Sequence, residues 1–492
     1  MLSLFLSLAS TLTTPQTLLE ISTRPYLYEL TQRYGKDISK LSEIPDEVFD
    51  EWETKGFKWV WFMGVWQLGE IGLKHDREDP SLRASYDTIL PGWTEEDVIG
   101  SPYAIVKYEV NTDIGTAEDL AIIRQKLHQR GIKLMVDFVP NHSAFDSEDI
   151  TKHVNYYIRA PPGTKDPKKY TDDGIAYGTC GDWCEPWTDV AQFNYFDLEF
   201  RASRIEILKK IASVADGMRC DMAHLMINSN FAEIWATELA AWNYTTPTTE
   251  FWADAISAVK ADYPDCIFMA EAYGDDIQTK LHSFGFDYSY DKEAIDQLKN
   301  HDVQGLLSKL KKLDLNVVAH FTENHDEPRS MASFWNYAPA SDAASAALLS
   351  LPGVRLFFQD EWYGYAKKLD VHLRRAVSED PDTTVQTFFS TLFKVLKLDS
   401  VANGDFTMID FNGGSNVLSW KWVKGDEHVL FCVNFGESQQ NGKVIFDDVP
   451  QGQADVTLTE LVTGVEYHEP ASTLREGYSI HLDQYQVQIF KY

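Results

Sequence analysis

Between residues 17 and 400 the chain alternates short apolar, β-branched or aromatic runs with amphipathic stretches of helical period. That rhythm constrains the fold more than any other feature. Residues 116–140 show one unit of it. Thr116 begins a helix, with Asp119 three residues on as its capping-box partner. Leu120, Ile123 and Leu127 recur on one helical face, and Arg130-Gly131 marks the stop. IKLMVDFVP (132–140) follows as a continuous apolar run. Such a run suits a strand covered on both faces of a parallel sheet.

The same order recurs down the chain. Ile205, Leu208, Ile211 and Ala215 precede GMRCD (217–221), and Trp252, Ile256 and Val259 precede CIFMAEAY (266–273). Leu306, Leu307 and Leu310 precede NVVAHFTENHD (316–326), and the stretch 344–351 precedes GVRLFF (353–358). LLEIST (18–23), FKWVWFMG (57–64) and FGFDYSY (284–290) add further strands, for a total of seven or eight. Repeated βα units with right-handed crossovers leave a closed barrel or an open doubly wound sheet. No G-x-G-x-x-G follows the first strand, which weighs against a dinucleotide-binding sheet. The expected fold is therefore α/β, a (β/α)8 TIM barrel over residues 17–400.

Two regions break the rhythm. Residues 143–195, with Pro161-Pro162-Gly163 and a Lys/Asp-rich patch, read as a loop-rich insertion after the third strand. From 401 to 492 the helices vanish. Leu418, Trp420 and Trp422 alternate there, as do Val429, Phe431, Val433 and Phe435, and later Tyr485, Val487 and Ile489. This is the pattern of a C-terminal antiparallel β-sandwich.

Composition narrows the function classes. A chain of 492 residues with 44% hydrophobic and 24% charged residues is ordinary globular protein, not collagen-like, disordered or coiled-coil. The net charge of −31 repels phosphate backbones and anionic lipid, so neither nucleic acid nor membrane is an expected partner. A neutral ligand such as a sugar is compatible with it. Five cysteines make no disulfide scaffold. Cys180 and Cys184, in TCGDWC, are expected as two free thiols; Cys220, Cys266 and Cys432 read as core. MLSLFLSLASTLTT (1–14) is apolar but has no basic n-region and no clear A-x-A site, which leaves a cytoplasmic and a secreted chain both open. Oligomeric state is not legible.

Barrel enzymes place their chemistry at the C-terminal ends of strands. The third run ends with Asp137 and then Asn141-His142, the fourth with Arg219 and Asp221, the fifth with Glu271, and the seventh with Asn324-His325-Asp326. Taken singly, each of these residues reads as a turn, cap, salt-bridge or packing residue. Independent packing needs do not place so many polar groups at one barrel mouth. Converging carboxylates can bind a hard cation, or they can hydrolyse a glycoside. The second use needs one acid to protonate the leaving oxygen and one carboxylate to attack the anomeric carbon. Arg219 lies two residues before Asp221, on the same side of the strand by alternation, and a nearby cation favours the carboxylate. Glu271 follows the apolar FMA, where desolvation would keep its proton on.

Those four segments resemble the conserved regions of the α-amylase superfamily, glycoside hydrolase family thirteen. DFVPNH (137–142), GMRCD (217–221), FMAEAY (268–273) and FTENHD (321–326) match in order and in their one-per-strand placement. GSPYAIVKYEV (100–110) resembles that family's second-strand segment and LPGVRLFFQDE (351–361) its eighth. The resemblance implies a retaining α-glycoside hydrolase acting on α-glucans or α-glucosides. Asp221 would be the nucleophile, Glu271 the general acid/base and Asp326 the transition-state stabiliser. Arg219 would orient Asp221, His142 and His325 would bond the sugar, and Tyr103 would stack beneath its ring. Asp137 and Asn141 would brace the site. No cofactor is required, although Asn141 is a metal ligand in calcium-binding members. An α-glucan transglycosylase or isomerase would use the same residues; a non-catalytic binding subunit would usually lack one of the acids.

The sequence also departs from the family pattern. Where the family carries Lys-His after the nucleophile, this chain has His224 and Leu225, and Lys107 stands where many members have Asp. The insertion holds no evident calcium loop, with Asp189 the one candidate ligand in it. Glu327-Pro328-Arg329 and WVWFMGVW (59–66) point to an atypical bacterial-type branch.

Overall fold

The computed structural model describes residues 14–181 and 183–492. The apolar N-terminal segment therefore lies almost wholly outside the described residues. Eight parallel strands close into a barrel: Gln16–Ser22, Trp59–Met63, Lys133–Phe138, Gly217–Cys220, Ile267–Ala270, Tyr288–Tyr290, Val318–His320 and Val354–Phe358. They follow one another around the barrel in chain order, and Leu18 of the first pairs with both Trp59 of the second and Leu356 of the eighth. The strands are apolar on both faces because one face fills the barrel and the other meets the helices. Thr116 and Asp119 form the capping box that opens helix Ala117–His128, which buries Leu120, Ile123 and Leu127. Helix Ala338–Leu349 is buried on nearly every side. Its run of Ala and Ser lets it fit between the barrel and the C-terminal sheet.

Three expectations change. GSPYAIVKYEV is not a barrel strand. The second barrel position is filled by Trp59–Met63, and Ile105–Val110 instead pairs antiparallel with Trp66–Leu68 in the long loop that follows. The insertion is more ordered than its composition implied, with His142–Ala144, Trp187–Gln192 and Tyr177–Gly178 forming a small sheet. Cys180 and Cys184 are not two free thiols but a disulfide. Their Cα atoms lie 5.8 Å apart, inside the range a disulfide spans.

The C-terminal region is an antiparallel sandwich of unequal layers. Its larger sheet has six strands and is covered on one side by the two-stranded ribbon Gln440–Val444 and Tyr478–Leu482. Val417, Leu430, Leu458 and Phe490 face the ribbon's Val444, Ile480 and Leu482. Leu418, Trp420, Trp422, Phe431 and Ile489 face the other way and join the core of the barrel. Trp422 fastens the two together: its Nε1 donates to the Ser350 carbonyl at 2.9 Å, and the buried Arg355 guanidinium lies 5.3 Å from its ring. Trp422→Ala is expected to destabilise the chain by about 3–5 kcal/mol, read as a lower denaturant midpoint, through the cavity it leaves.

Candidate active site

Arg219 organises the barrel mouth. It is fully buried on the fourth strand. Its Nη1 donates to Asp221 Oδ1 and its Nη2 to Glu271 Oε2, both at 2.6 Å. Its Nε donates to the Tyr290 hydroxyl at 3.3 Å, and the rings of Trp61, Tyr103 and Tyr290 lie 5.3, 5.5 and 5.5 Å from the guanidinium carbon. A cation at zero exposure is tolerable only with such charge and quadrupole partners.

Local backbone brings the two acids together. Period-2 alternation carries Asp221 to the same side as Arg219. The chain then turns through Met222, which sits in the left-handed region at φ 41°. That turn aims the Met222 amide at Glu271 Oε2, 2.9 Å away. The Tyr273 hydroxyl donates to Glu271 Oε1 at 2.6 Å. Glu271 is thus held by Arg219, Tyr273 and a backbone amide rather than left in an apolar pocket, as the preceding FMA had implied. Nor does Arg219 serve Asp221 alone. Burial pushes the Asp221 carboxyl up to about 7; Arg219 opposes that rise and the Glu271 charge adds to it.

A second network ends on Asp326. His325 Nε2 lies 3.0 Å from Asp326 Oδ2 and 2.8 Å from the Tyr103 hydroxyl, and its Nδ1 meets the carboxylate of Glu20. Burial works against a charged imidazole, but Asp326 and Glu20 hold His325 up to about 10. Burial likewise opposes the Asp326 anion, and His325 holds it well below the usual carboxylate range. The Asp326 side chain is 50% exposed, so of the three acids it reaches furthest into solvent. Lys368 donates to its backbone carbonyl.

Residues 101–391, more than half of the chain, match the family described as "Alpha amylase, catalytic domain". The chain belongs to the α-amylase family. It is 25% identical over 353 residues to "Alpha-amylase MalA" of Haloarcula japonica, covering 67% of this chain and 46% of that protein. It is 25% identical over 269 residues to "Alpha-1,4-glucan:maltose-1-phosphate maltosyltransferase" of Rhodospirillum rubrum, covering 52% and 32%. The chain therefore spans less than half the length of either relative. Among solved structures, an α-amylase from Lactobacillus plantarum superposes with a TM-score of 0.67 at 19% identity, covering 97% of this chain and 98% of that one. That likeness speaks to the fold.

Of the residues expected at the site of this α-amylase-family chain, Arg219, Asp221 and Glu271 meet directly. Tyr103, His325 and Asp326 form the adjoining chain of contacts. His325 spends both ring nitrogens on protein partners. Tyr103 turns its hydroxyl to His325 and its ring to Arg219. His142 is buried edge-on to Trp187, with ring centroids 5.5 Å apart, and burial pushes its imidazole down to about 4. Asp137 accepts from Trp61 Nε1 at 3.0 Å and the Gly64 amide at 2.8 Å, a brace between neighbouring strands. Asn141 accepts from Gln192 at Oδ1 and donates to the Thr179 carbonyl and His142. Burial and the neighbouring Asp76 raise the Asp189 carboxyl, which disfavours its anion. Among the described residues no three His, Cys, Asp or Glu side chains gather as a metal set. His224 packs against Tyr273 at 6.1 Å, and Lys107 pairs with Glu109 at 2.7 Å on the surface.

Sequence reasoning missed Glu20, Tyr273 and Tyr290. Only Glu20 left a signal: it is a lone acid inside the apolar LLEIST. His325 gives the site a pH signature. An imidazole whose folded pKa is raised from 6.5 to about 10 contributes stability that is fully present below 6.5 and lost as pH rises through about 10. Replacing it by His325→Gln should flatten the fall in unfolding free energy across that window, as measured by urea titrations at a series of pH values.

Proposed function

We propose that the chain is a retaining α-glycoside hydrolase acting on α-glucans or α-glucosides by double displacement. What carries the reading is the single guanidinium shared by Asp221 and Glu271. It keeps the two carboxyls within one side chain's reach of each other, a closeness suited to the ~5–5.5 Å of a retaining pair. Asp221 attacks the anomeric carbon as the glycosidic C–O bond breaks, and Glu271 gives its proton to the departing oxygen. Water, losing a proton to Glu271, then attacks the same carbon and Asp221 leaves as the carboxylate. Asp326, the most solvent-open of the three, accepts hydrogen bonds from sugar hydroxyls. Arg219 steadies whichever acid is ionised at each stage.

A transfer reaction uses the same residues with a sugar hydroxyl in place of water, and the likeness to a maltosyltransferase supports it as the second reading. Product analysis on maltooligosaccharides separates the two, because only transfer makes chains longer than the substrate. Glu271→Gln is expected to lower turnover on α-glucosides by about 10²–10⁴-fold, and Asp221→Asn by at least as much. Proton NMR of the first product should show the α-anomer. Near-normal rates in both variants would overturn the assignment, and a β-anomer would overturn retention.

A further inference from the structure

Among the described residues seven non-glycine residues adopt left-handed backbone, and four of them, His301, Trp335, Asn336 and Tyr485, belong to one surface cluster. Left-handed backbone is unfavourable for bulky side chains, and it collects where surrounding structure enforces it for a use. Here it holds flat rings outward. Trp335 is 46% exposed and Tyr337 37% exposed. His301 stacks on Trp335 with centroids 4.5 Å apart and planes 11° apart, and Tyr485 lies 6.1 Å from Trp335 and 5.9 Å from Tyr337. The Asn336 amide donates to the Met331 carbonyl at 2.7 Å, which fixes the turn. Gln484 donates to the Tyr337 hydroxyl at 3.0 Å. The outcome is a pair of part-exposed rings backed by the buried Tyr485, with Gln484 at the edge of Tyr337 and the exposed Asn336 between the two rings in sequence.

We infer that this cluster is an accessory binding site for an α-glucan chain, separate from the carboxylate site. The inference rests on the α-glucan reading proposed above. A hexose ring shows an apolar C–H face and a rim of hydroxyls, and exposed rings edged by Asn336 and Gln484 match both. An anionic ligand is disfavoured by a chain of net charge −31. A protein partner would need about 800 Å² of contact on this side, far more than two part-exposed rings offer. Position also favours a polymer. Trp335 lies on the same loop as Asp326, after the seventh strand, and Glu327 pins that loop through Lys292 at 3.0 Å and Lys299 at 2.7 Å. A glucan held at Trp335 is therefore tethered near the cleft, which raises its local concentration there.

Sedimentation with starch granules, run beside turnover of a small chromogenic maltoside, tests the site. Trp335→Ala is expected to weaken granule retention about ten-fold or more, as losing a stacked anchor ring does, while kcat/KM on the small substrate stays within about two-fold. Trp335→Phe, which keeps a ring, should retain most of the binding. Tyr337→Ala is the second variant, with thermal melting as the check that each is folded. Unchanged granule retention in folded Trp335→Ala and Tyr337→Ala overturns the inference. So does loss of a dimer in Trp335→Ala with retention intact, which would assign the rings to self-association. If the chain turns over no α-glucoside yet granule retention still depends on Trp335, the accessory site stands and the catalytic reading falls.

Discussion

A single guanidinium at zero exposure holds the barrel mouth together. Arg219 bonds two buried acids at once, and its one positive charge is shared between them, which offsets part of the cost of burying the cation. Delete the cation and two carboxylates face each other across a low-dielectric space; delete one acid and the other inherits the whole of Arg219. The arrangement is possible because the fourth and fifth strands are neighbours in register, with Met269 opposite Arg219 and Ala270 opposite Cys220. The first residue beyond each strand then projects over the same opening. Trp61, Tyr103 and Tyr290 close the remaining sides of the cation with ring faces, which exclude water without adding charge.

The second network repeats that arrangement with a histidine in place of the arginine. Glu20, His325 and Asp326 form an anion–cation–anion row, so the histidine is charged and Asp326 is held as the carboxylate. Tyr103 touches both networks, through its ring to Arg219 and its hydroxyl to His325. The three acids consequently sit in three different electrostatic settings: Asp221 against one arginine, Glu271 against that arginine plus a tyrosine and an amide, and Asp326 against a histidinium. Chemistry that asks one carboxyl to attack, one to exchange a proton and one to stay ionised requires such a difference.

How much of this was legible in the sequence depends on how local each cause is. Strand periodicity places Arg219 and Asp221 on one side, and a strand-end position places Glu271 and Asp326 at the mouth, so those four could be read from spacing. Glu271's environment could not, because the Met222 amide reaches it through a turn whose left-handed residue no pattern announces. Glu20 lies some three hundred positions from His325, and only closure of the barrel between the first and eighth strands brings them together. The insertion misled for a related reason. Its short strands carry turn-like composition, and pairing between residues 142–144 and 187–192 is set by tertiary contact rather than local preference. The Cys180–Cys184 bridge likewise follows from how close the two residues lie in space, not from cysteine arithmetic.

Strained backbone occurs at two kinds of place in the chain. Met222, beside Asp221, and Asp360, at the end of the eighth strand, are left-handed residues at the mouth of the barrel, whereas His301, Trp335, Asn336 and Tyr485 are left-handed at the surface. In the first place the strain aims a backbone amide at a carboxylate; in the second it props apolar rings against solvent, the opposite of what burial alone would favour. The loop after the seventh strand joins the two places, with Asp326 near its start and Trp335 near its end. The pins from Glu327 to Lys292 and Lys299 lie between them. Those pins fix the stretch of chain between the acid and the rings, so each is presented from a held backbone.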